Sequence, residues 1–284
     1  MRIIIAGPPK AGNVWLKCIL GHIYDLRPLT NRETPQRPQF QLFKEYFESH
    51  GYPTTVADPR ALSYEGGRLR HDDFEIDVVY KRLLTNDFLE NIDELGALHA
   101  AYADRAICLV NSFRGKYVHK KMFFGVLTNE RYAHLFTEAE RQVIAETVPW
   151  TRRVREMRTI HEGAEIDLIP FVREHREMLV LKPNDDYGGH GIFIGWESDA
   201  ETWEHAIGKA LAGDYLVQQR VPTAREVFPA LEDDGSYTLA EQLVDLDPLL
   251  FFGKVGGAFT RLSTTSLCNV TSGGGMVPTF LLKA

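Results

Sequence analysis

A lysine followed by a glycine-rich stretch is the part of this sequence whose residue types are best suited to chemistry. Lys182 ends the apolar run Leu-Val-Leu, and three glycines follow it at Gly188, Gly189 and Gly191. Because glycine has no Cβ, such a loop brings backbone N–H groups close to phosphate oxygens, and the lysine adds a positive charge. The stretch predicts a phosphate-binding loop, although a glycine-rich hairpin turn beside a surface lysine gives the same pattern.

Other polar side chains have the types that would complete a nucleotide site. Lys121, on an expected helix, offers a second cation for phosphate. Gln218 and Gln219 end an apolar run whose backbone can face an adenine edge and whose side chains can face a ribose. Arg261 is suited to hold a phosphate, because a guanidinium can donate two parallel hydrogen bonds to two phosphate oxygens.

Oxygen-bearing side chains near the C-terminus indicate a metal site. Asp245 and Asp247 occur in the segment Val-Asp-Leu-Asp-Pro, and Asn269 precedes a glycine triplet. Carboxylate and amide oxygens are the hard ligands that Mg²⁺ prefers. We therefore expect these side chains to supply ligands to Mg²⁺.

The order of these features resembles the ATP-grasp superfamily, in particular its glutathione-synthetase-type domains. The resemblance covers roughly residues 36–284. It implies two subdomains that hold ATP and Mg²⁺, with the loop 188–191 as a lid and the glutamines near adenine and ribose. It also implies Lys121 and Lys182 on the phosphates, Arg261 on the γ-phosphate and Asn269 on Mg²⁺.

The chemistry implied by this resemblance is carboxylate activation. ATP phosphorylates a carboxylate, and an amine or thiol attacks the acyl phosphate, with charge compensation and positioning supplying most of the rate. Catalytic roles are implied for Lys182 and Arg261, and small-molecule carboxylate and amine substrates are the expected partners.

Two positions depart from the family pattern. Gln219 and Leu267 stand where the family often has glutamate. Since leucine cannot bind Mg²⁺, either Asp245 or Asp247 supplies the carboxylate or turnover is weakened. A nucleotide-binding protein without turnover is therefore an alternative to a ligase.

Residues 1–30 carry a different resemblance. The segment Ile-Ile-Ile-Ala-Gly-Pro-Pro-Lys10-Ala-Gly-Asn-Val-Trp resembles the strand, loop and helix by which sulfotransferases hold the sulfate donor PAPS. A helix N-terminus favours anions there, and Lys10 would contact the donor. A PAPS-dependent sulfotransferase is therefore a second alternative. The segment can equally be the first strand and helix of a pre-ATP-grasp lobe.

Alternating strand and helix patterns predict an α/β (α+β) fold. We assign a small pre-ATP-grasp-like α/β lobe to residues 1–115 and an ATP-grasp domain of two subdomains to residues 116–284. Around the glycine loop the patterns predict helices over 116–127 and 200–212, and strands over 178–182, 192–196 and 215–221. The arginine-rich run 151–158 can bind an acidic group, but a solvent-exposed face is the favoured interpretation.

Composition argues against several classes of protein. The net charge of −7 is unusual for a nucleic-acid binder. No stretch approaches the ~20 apolar residues that span a bilayer, so we expect a cytoplasmic protein without membrane contact. The three cysteines form no CxxC pair, which argues against a zinc site or a disulfide framework, and we expect all three to be buried small side chains. The sequence leaves the oligomeric state open.

Overall fold

The computed structural model describes residues 3–6, 37–186, 188–231, 234–268 and 274–280. Lys10 and Asn269 lie outside the described residues, as does nearly all of the segment that resembles a sulfotransferase loop. The chain has an α/β (α+β) fold and divides into two compact units, Met1–Lys116 and Tyr117–Ala284.

The first unit contains a parallel four-stranded sheet of order β2-β1-β6-β7 and an antiparallel three-stranded sheet of order β3-β4-β5. Its described strands are β1 (Ile3–Ala6), β2 (Thr54–Ala57), β3 (Ser63–Glu65), β4 (Arg68–His71), β5 (Phe74–Ile76), β6 (Val78–Lys81) and β7 (Cys108–Val110). Its described α-helices are α1 (Arg37–Ser49), α2 (Thr85–Glu90) and α3 (Gly96–Ala103).

Apolar side chains of strand and helix form the core of this unit. Val79 of β6 and Leu98 of α3 are fully buried and belong to one apolar cluster. The expectation that every cysteine is buried is wrong for Cys108, whose side chain is exposed, because it lies on a strand at the edge of the parallel sheet.

The second unit contains two antiparallel four-stranded sheets, of order β12-β11-β13-β8 and β14-β15-β16-β17. A two-stranded ribbon joins β9 to β10. The described strands are β8 (Thr151–Arg153), β9 (Arg158–His161), β10 (Ala164–Asp167), β11 (Leu179–Pro183), β12 (Phe193–Ile194), β13 (Tyr215–Gln219), β14 (Arg225–Leu231), β15 (Tyr237–Phe251), β16 (Lys254–Ser263) and β17 (Gly275–Val277). The described α-helices are α4 (Gly115–His119), which spans the boundary between the units, α5 (Met122–Leu127), α6 (Glu138–Thr147), α7 (Leu168–Glu174) and α8 (Ala200–Ala212).

The first sheet of this unit has one apolar face and one face with polar groups. Leu181 and Val217 are fully buried and share an apolar cluster with Trp203 of α8. Successive side chains of a strand point to opposite faces, so Lys182 and Gln218 leave the sheet on the other side. The core of the unit therefore fixes the strands that carry the candidate site.

The second sheet also has two different faces. Asp245 and Asp247 alternate with apolar residues along β15, and Asp245 is paired with Arg261 of β16. On the opposite face of β15, the even positions 238–250 are Thr, Ala, Gln, Val, Leu, Pro and Leu, none of which ionises. Leu246 and Leu250 on this uncharged face are 58% and 64% exposed.

Two predicted elements around the glycine loop need correction. The helix expected over 116–127 is interrupted between α4 and α5, because the backbone N–H groups of Lys121 and Met122 donate to Asn184. The strand expected over 192–196 is limited to β12, after which a 3-10 helix begins (Gly195–Glu197). A Cβ at Gly195 would collide with the carbonyl oxygen of Arg176, so only glycine fits this bend.

The interpretation of run 151–158 as a solvent-exposed face is wrong at its start. Arg152 lies in β8 and is 1% exposed. Its Nε donates to Thr159 Oγ1 at 2.6 Å, its Nη1 to the Thr128 carbonyl at 3.0 Å and its Nη2 to the Ile160 carbonyl at 3.1 Å. A buried guanidinium is tolerated here because its donors find acceptors.

None of the helices in the described ranges combines the length and the apolar composition needed to cross a bilayer.

Candidate functional site

Lys182 stands at the end of β11, on the polar face of the first sheet of the second unit. Its Nζ donates to Gln218 Oε1 across the β11–β13 pairing, at 2.8 Å. Burial, and then the positive charge of Lys121, lower the pKa of the Lys182 ammonium. The two lysines are thus close enough to interact electrostatically, and an anion placed near both would relieve their repulsion.

Lys121 is held by the segment that follows Lys182. The Lys121 backbone N–H donates to the Asn184 carbonyl at 3.1 Å, and the next backbone N–H donates to Asn184 Oδ1 at 2.9 Å. Asn184 is buried, and its Nδ2 donates to Asp214 Oδ2 at 2.8 Å. The Lys121 Nζ donates to the carbonyl of Asp186 at 2.6 Å. Sequence reasoning missed Asn184 as the residue that joins the two lysine-bearing segments, although its place directly after Lys-Pro was a usable signal.

The glycine loop has the backbone that its residue types predict. Gly188, Gly189 and Gly191 have φ values of 70°, 79° and 66°, a region that side chains with a Cβ rarely adopt. At Gly191 a Cβ would also lie 2.8 Å from Tyr215 Oη. Asp185 begins the loop and lies near the end of α4, with Oδ2 at 3.8 Å from Lys120 Nζ. The loop therefore adjoins both predicted phosphate-binding lysines.

Gln218 and Gln219 do not share one environment. Gln218 is buried, and its Nε2 donates to Thr151 Oγ1 at 3.0 Å. Gln219 is the next residue of β13, so it points to the opposite face of the sheet. There it lines a cavity of about 600 Å³ together with Trp150 and Arg220. Of the two glutamines, Gln218 is therefore the one that is hydrogen-bonded to Lys182.

Arg261 forms an ion cluster with both predicted metal-binding carboxylates. Its Nε donates to Asp245 Oδ2 at 2.7 Å, its Nη2 contacts the same oxygen, and Nη2 lies 3.1 Å from Asp247 Oδ2. Burial raises the pKa of Asp247, Arg261 opposes that rise, and Asp245 adds to it. Asp247 Oδ2 is buried without the geometry of a hydrogen bond to any described group.

A hydrogen bond from Ser266 Oγ to Glu197 Oε1 joins the segment after β16 to the bend after β12. Leu267 follows, and its carbonyl accepts from Ser263 Oγ at 2.7 Å and Thr265 Oγ1 at 3.1 Å. The described residues contain no group of three His, Cys, Asp or Glu side chains placed to hold a metal ion. The structure thus forms two clusters in the second unit, one with both lysines, Gln218 and the glycine loop, and one with Arg261 and the aspartates.

Comparison with known proteins gives likenesses of fold only. No family model matches the chain, and no curated protein sequence matches it. Among solved structures, the chain is similar to the macrocyclase MdnC from Microcystis aeruginosa bound with its precursor peptide MdnA, at 13% identity over 99% of this chain and 79% of that one, with a TM-score of 0.43.

It is also similar to the ATP-grasp ligase PsnB complexed with a precursor variant, Mg and ADP, at 13% identity over 85% of this chain and 71% of that one, with a TM-score of 0.41. A third similar structure is D-alanyl-alanine synthetase A from Vibrio cholerae, at 11% identity over 96% and 78% of the two chains, with a TM-score of 0.39.

Proposed function

We propose that the second unit binds ATP and uses it to activate a carboxylate for attack by an amine. The single observation that carries this proposal is the placement of Lys121 and Lys182 beside a loop whose three glycines adopt left-handed backbone. Two neighbouring ammonium groups, one with a lowered pKa, form a site that an anion stabilises. Glycine N–H groups at positive φ can approach phosphate oxygens closely.

The proposed reaction assigns different tasks to the two clusters. Lys121 and Lys182 hold the phosphates and offset their charge, and the loop 188–191 excludes water from the reacting group. A substrate carboxylate oxygen attacks the γ-phosphorus, and the bond to the β-phosphate oxygen breaks to release ADP. Arg261 stabilises the charge on the transferring group. An amine then attacks the acyl carbon, inorganic phosphate leaves with the bonding electron pair, and the proton that the amine loses passes to the phosphate.

The carboxylates beside Arg261 fit Mg²⁺ as the accompanying ion. Asp245 and Asp247 offer the hard oxygen ligands that this ion prefers, and Asp247 Oδ2 lacks a hydrogen bond within the described residues. These two side chains, with Asn269 as a third ligand by resemblance, would hold the ion. The bound ion would supply positive charge that offsets the charge of the phosphates.

Two measurements test the proposal in sequence. Calorimetric titration with ATP and Mg²⁺ is expected to show binding that Lys121→Ala and Lys182→Ala each weaken. Incubation with ATP, hydroxylamine and a panel of amino acids and short peptides is then expected to release ADP and form a hydroxamate from the acyl phosphate. Absence of ATP binding would overturn the proposal.

ATP binding without hydroxamate or ADP would favour the second candidate, a nucleotide-binding protein without turnover. The observation that favours this candidate is Leu267, which presents a carbonyl already bonded to two hydroxyl groups and no carboxylate. Restoring a carboxylate with Leu267→Glu is the variant that tests whether this position limits turnover.

A further inference from the structure

Three side chains on neighbouring strands form a hydrogen-bonded chain that is buried at Thr151 and Gln218 and ends on the half-buried Lys182. Lys182 Nζ donates to Gln218 Oε1 at 2.8 Å, Gln218 Nε2 donates to Thr151 Oγ1 at 3.0 Å, and Thr151 Oγ1 donates to the Pro149 carbonyl at 2.9 Å. The chain runs across β11, β13 and β8. Thr151 is fully buried and Gln218 is 6% exposed, so water competes little with these bonds.

The direction of every bond in this chain is determined by chemistry. An ammonium can only donate, so the Gln218 oxygen must face Lys182 and its NH₂ group must face Thr151. The hydroxyl of Thr151 has one proton, and the Pro149 carbonyl can only accept, so that proton goes to Pro149 and the hydroxyl oxygen accepts from Gln218. No flipped arrangement of the amide satisfies all the groups.

We infer that Gln218 and Thr151 are positioning residues that hold the Lys182 ammonium in its charged form and aim it at the phosphate. This inference rests on the proposed nucleotide function. A carbonyl acceptor favours the charged form of a lysine, which burial and Lys121 disfavour. Lys182 has three N–H donors and uses one on Gln218, which leaves two for phosphate oxygens.

Thr151 provides the sharpest test of the positioning role, because it is hydrogen-bonded to Gln218 and not to Lys182. Thr151→Val removes the hydroxyl but keeps the shape, so Gln218 Nε2 loses its acceptor and the amide keeps only its bond to Lys182. Thr151→Ser keeps the hydroxyl and is the rescue variant. The matched control is Thr159→Val, which removes another buried threonine hydroxyl. That hydroxyl accepts from Arg152, which also donates to the Thr151 carbonyl but makes no bond to the Thr151 hydroxyl.

The first readout needs no nucleotide. In protein labelled with ¹³C at lysine Cε, the Lys182 resonance is assigned by its loss in Lys182→Met, and its pKa is followed by NMR titration. Gln218→Met is expected to lower that pKa further, Thr151→Val to lower it less, and Thr151→Ser and Thr159→Val to leave it near the wild-type value.

The second readout is the calorimetric Kd for ATP. We expect Gln218→Met to raise Kd about tenfold or more, Thr151→Val to raise it about two- to tenfold, and Thr151→Ser to restore it. Thr159→Val, despite a lower Tm, keeps the wild-type Kd. If Thr151→Val matches Thr159→Val in both readouts, the inference is overturned. If the pKa shifts appear but wild-type protein binds no ATP, the positioning role stands and the proposed function fails.

Discussion

Lys182→Met is expected to weaken ATP binding strongly while changing the stability of the protein little. The ammonium keeps two N–H donors for phosphate beyond its bond to Gln218. A hydrogen bond to a charged group contributes about 1.5–3 kcal/mol, so the loss of even one raises Kd for ATP by about 10- to 150-fold.

The effect on stability is the difference between two opposing changes. Removing Lys182 relieves the cost of burying a charge, which is the main reason that its pKa is lowered. It also leaves Gln218 Oε1 without its donor, which costs about 1–3 kcal/mol. Since the two changes offset each other, we expect the free energy of unfolding to change by less than about 1 kcal/mol.

Calorimetry with ATP and urea denaturation measure the two quantities. Lys209→Met is the control, because it removes the same charge from an exposed position on α8, where the ammonium stacks over Phe193. That variant is expected to stay within about 0.5 kcal/mol of wild type in both assays. A Lys182→Met protein that binds ATP normally but loses about 3 kcal/mol of stability or more would refute the reasoning, since Lys182 would then act like a structural cation.

Four further outcomes are expected from the same contacts. Arg152→Met should lower the free energy of unfolding by about 3–5 kcal/mol in urea denaturation, because it leaves a buried hydroxyl and two half-buried carbonyls without this donor. The pKa of Lys182 is lower in the folded than in the unfolded protein, so the unfolded chain binds more protons at pH values between these two pKa values. The free energy of unfolding should therefore rise with pH through that window. Lys182→Met should flatten this rise in denaturation curves measured at a series of pH values. Gly195→Ala should cost about 1–3 kcal/mol in thermal unfolding, because the added Cβ overlaps a backbone carbonyl. Asp245→Asn should reduce the Mg²⁺ dependence of ATP affinity, measured by titrations with and without the ion, whereas equal dependence in variant and wild type would remove Asp245 from the metal site.

The features that the sequence predicted well are those set by local chemistry. A loop that needs left-handed backbone at several positions requires glycine, so Gly188, Gly189 and Gly191 could be identified without knowledge of the fold. The strand that carries Lys182 and the helix Ala200–Ala212 follow from their patterns of apolar residues.

The features that the sequence did not reveal depend on strand order. Gln218 meets Thr151 only because β8 and β13 are neighbours in the sheet, and Asn184 meets the start of α5 across 62 positions of sequence. Arg152 belongs to a run that is typical of a surface, yet its acceptors come from two other segments, β9 and the turn at Thr128. Such contacts are non-local, so residue type and spacing alone could not identify them.

The uncharged face of β15 has a practical consequence for handling the protein. With a pI near 5.8, the molecule loses its overall repulsion in mildly acidic buffers. The even positions 238–250 cannot compensate, because none of them ionises at any working pH, and Leu246 and Leu250 stay open to solvent. Protein molecules should therefore self-associate most readily near pH 6. Concentration steps and titrations are best carried out in alkaline buffer, where mutual repulsion keeps the molecules apart.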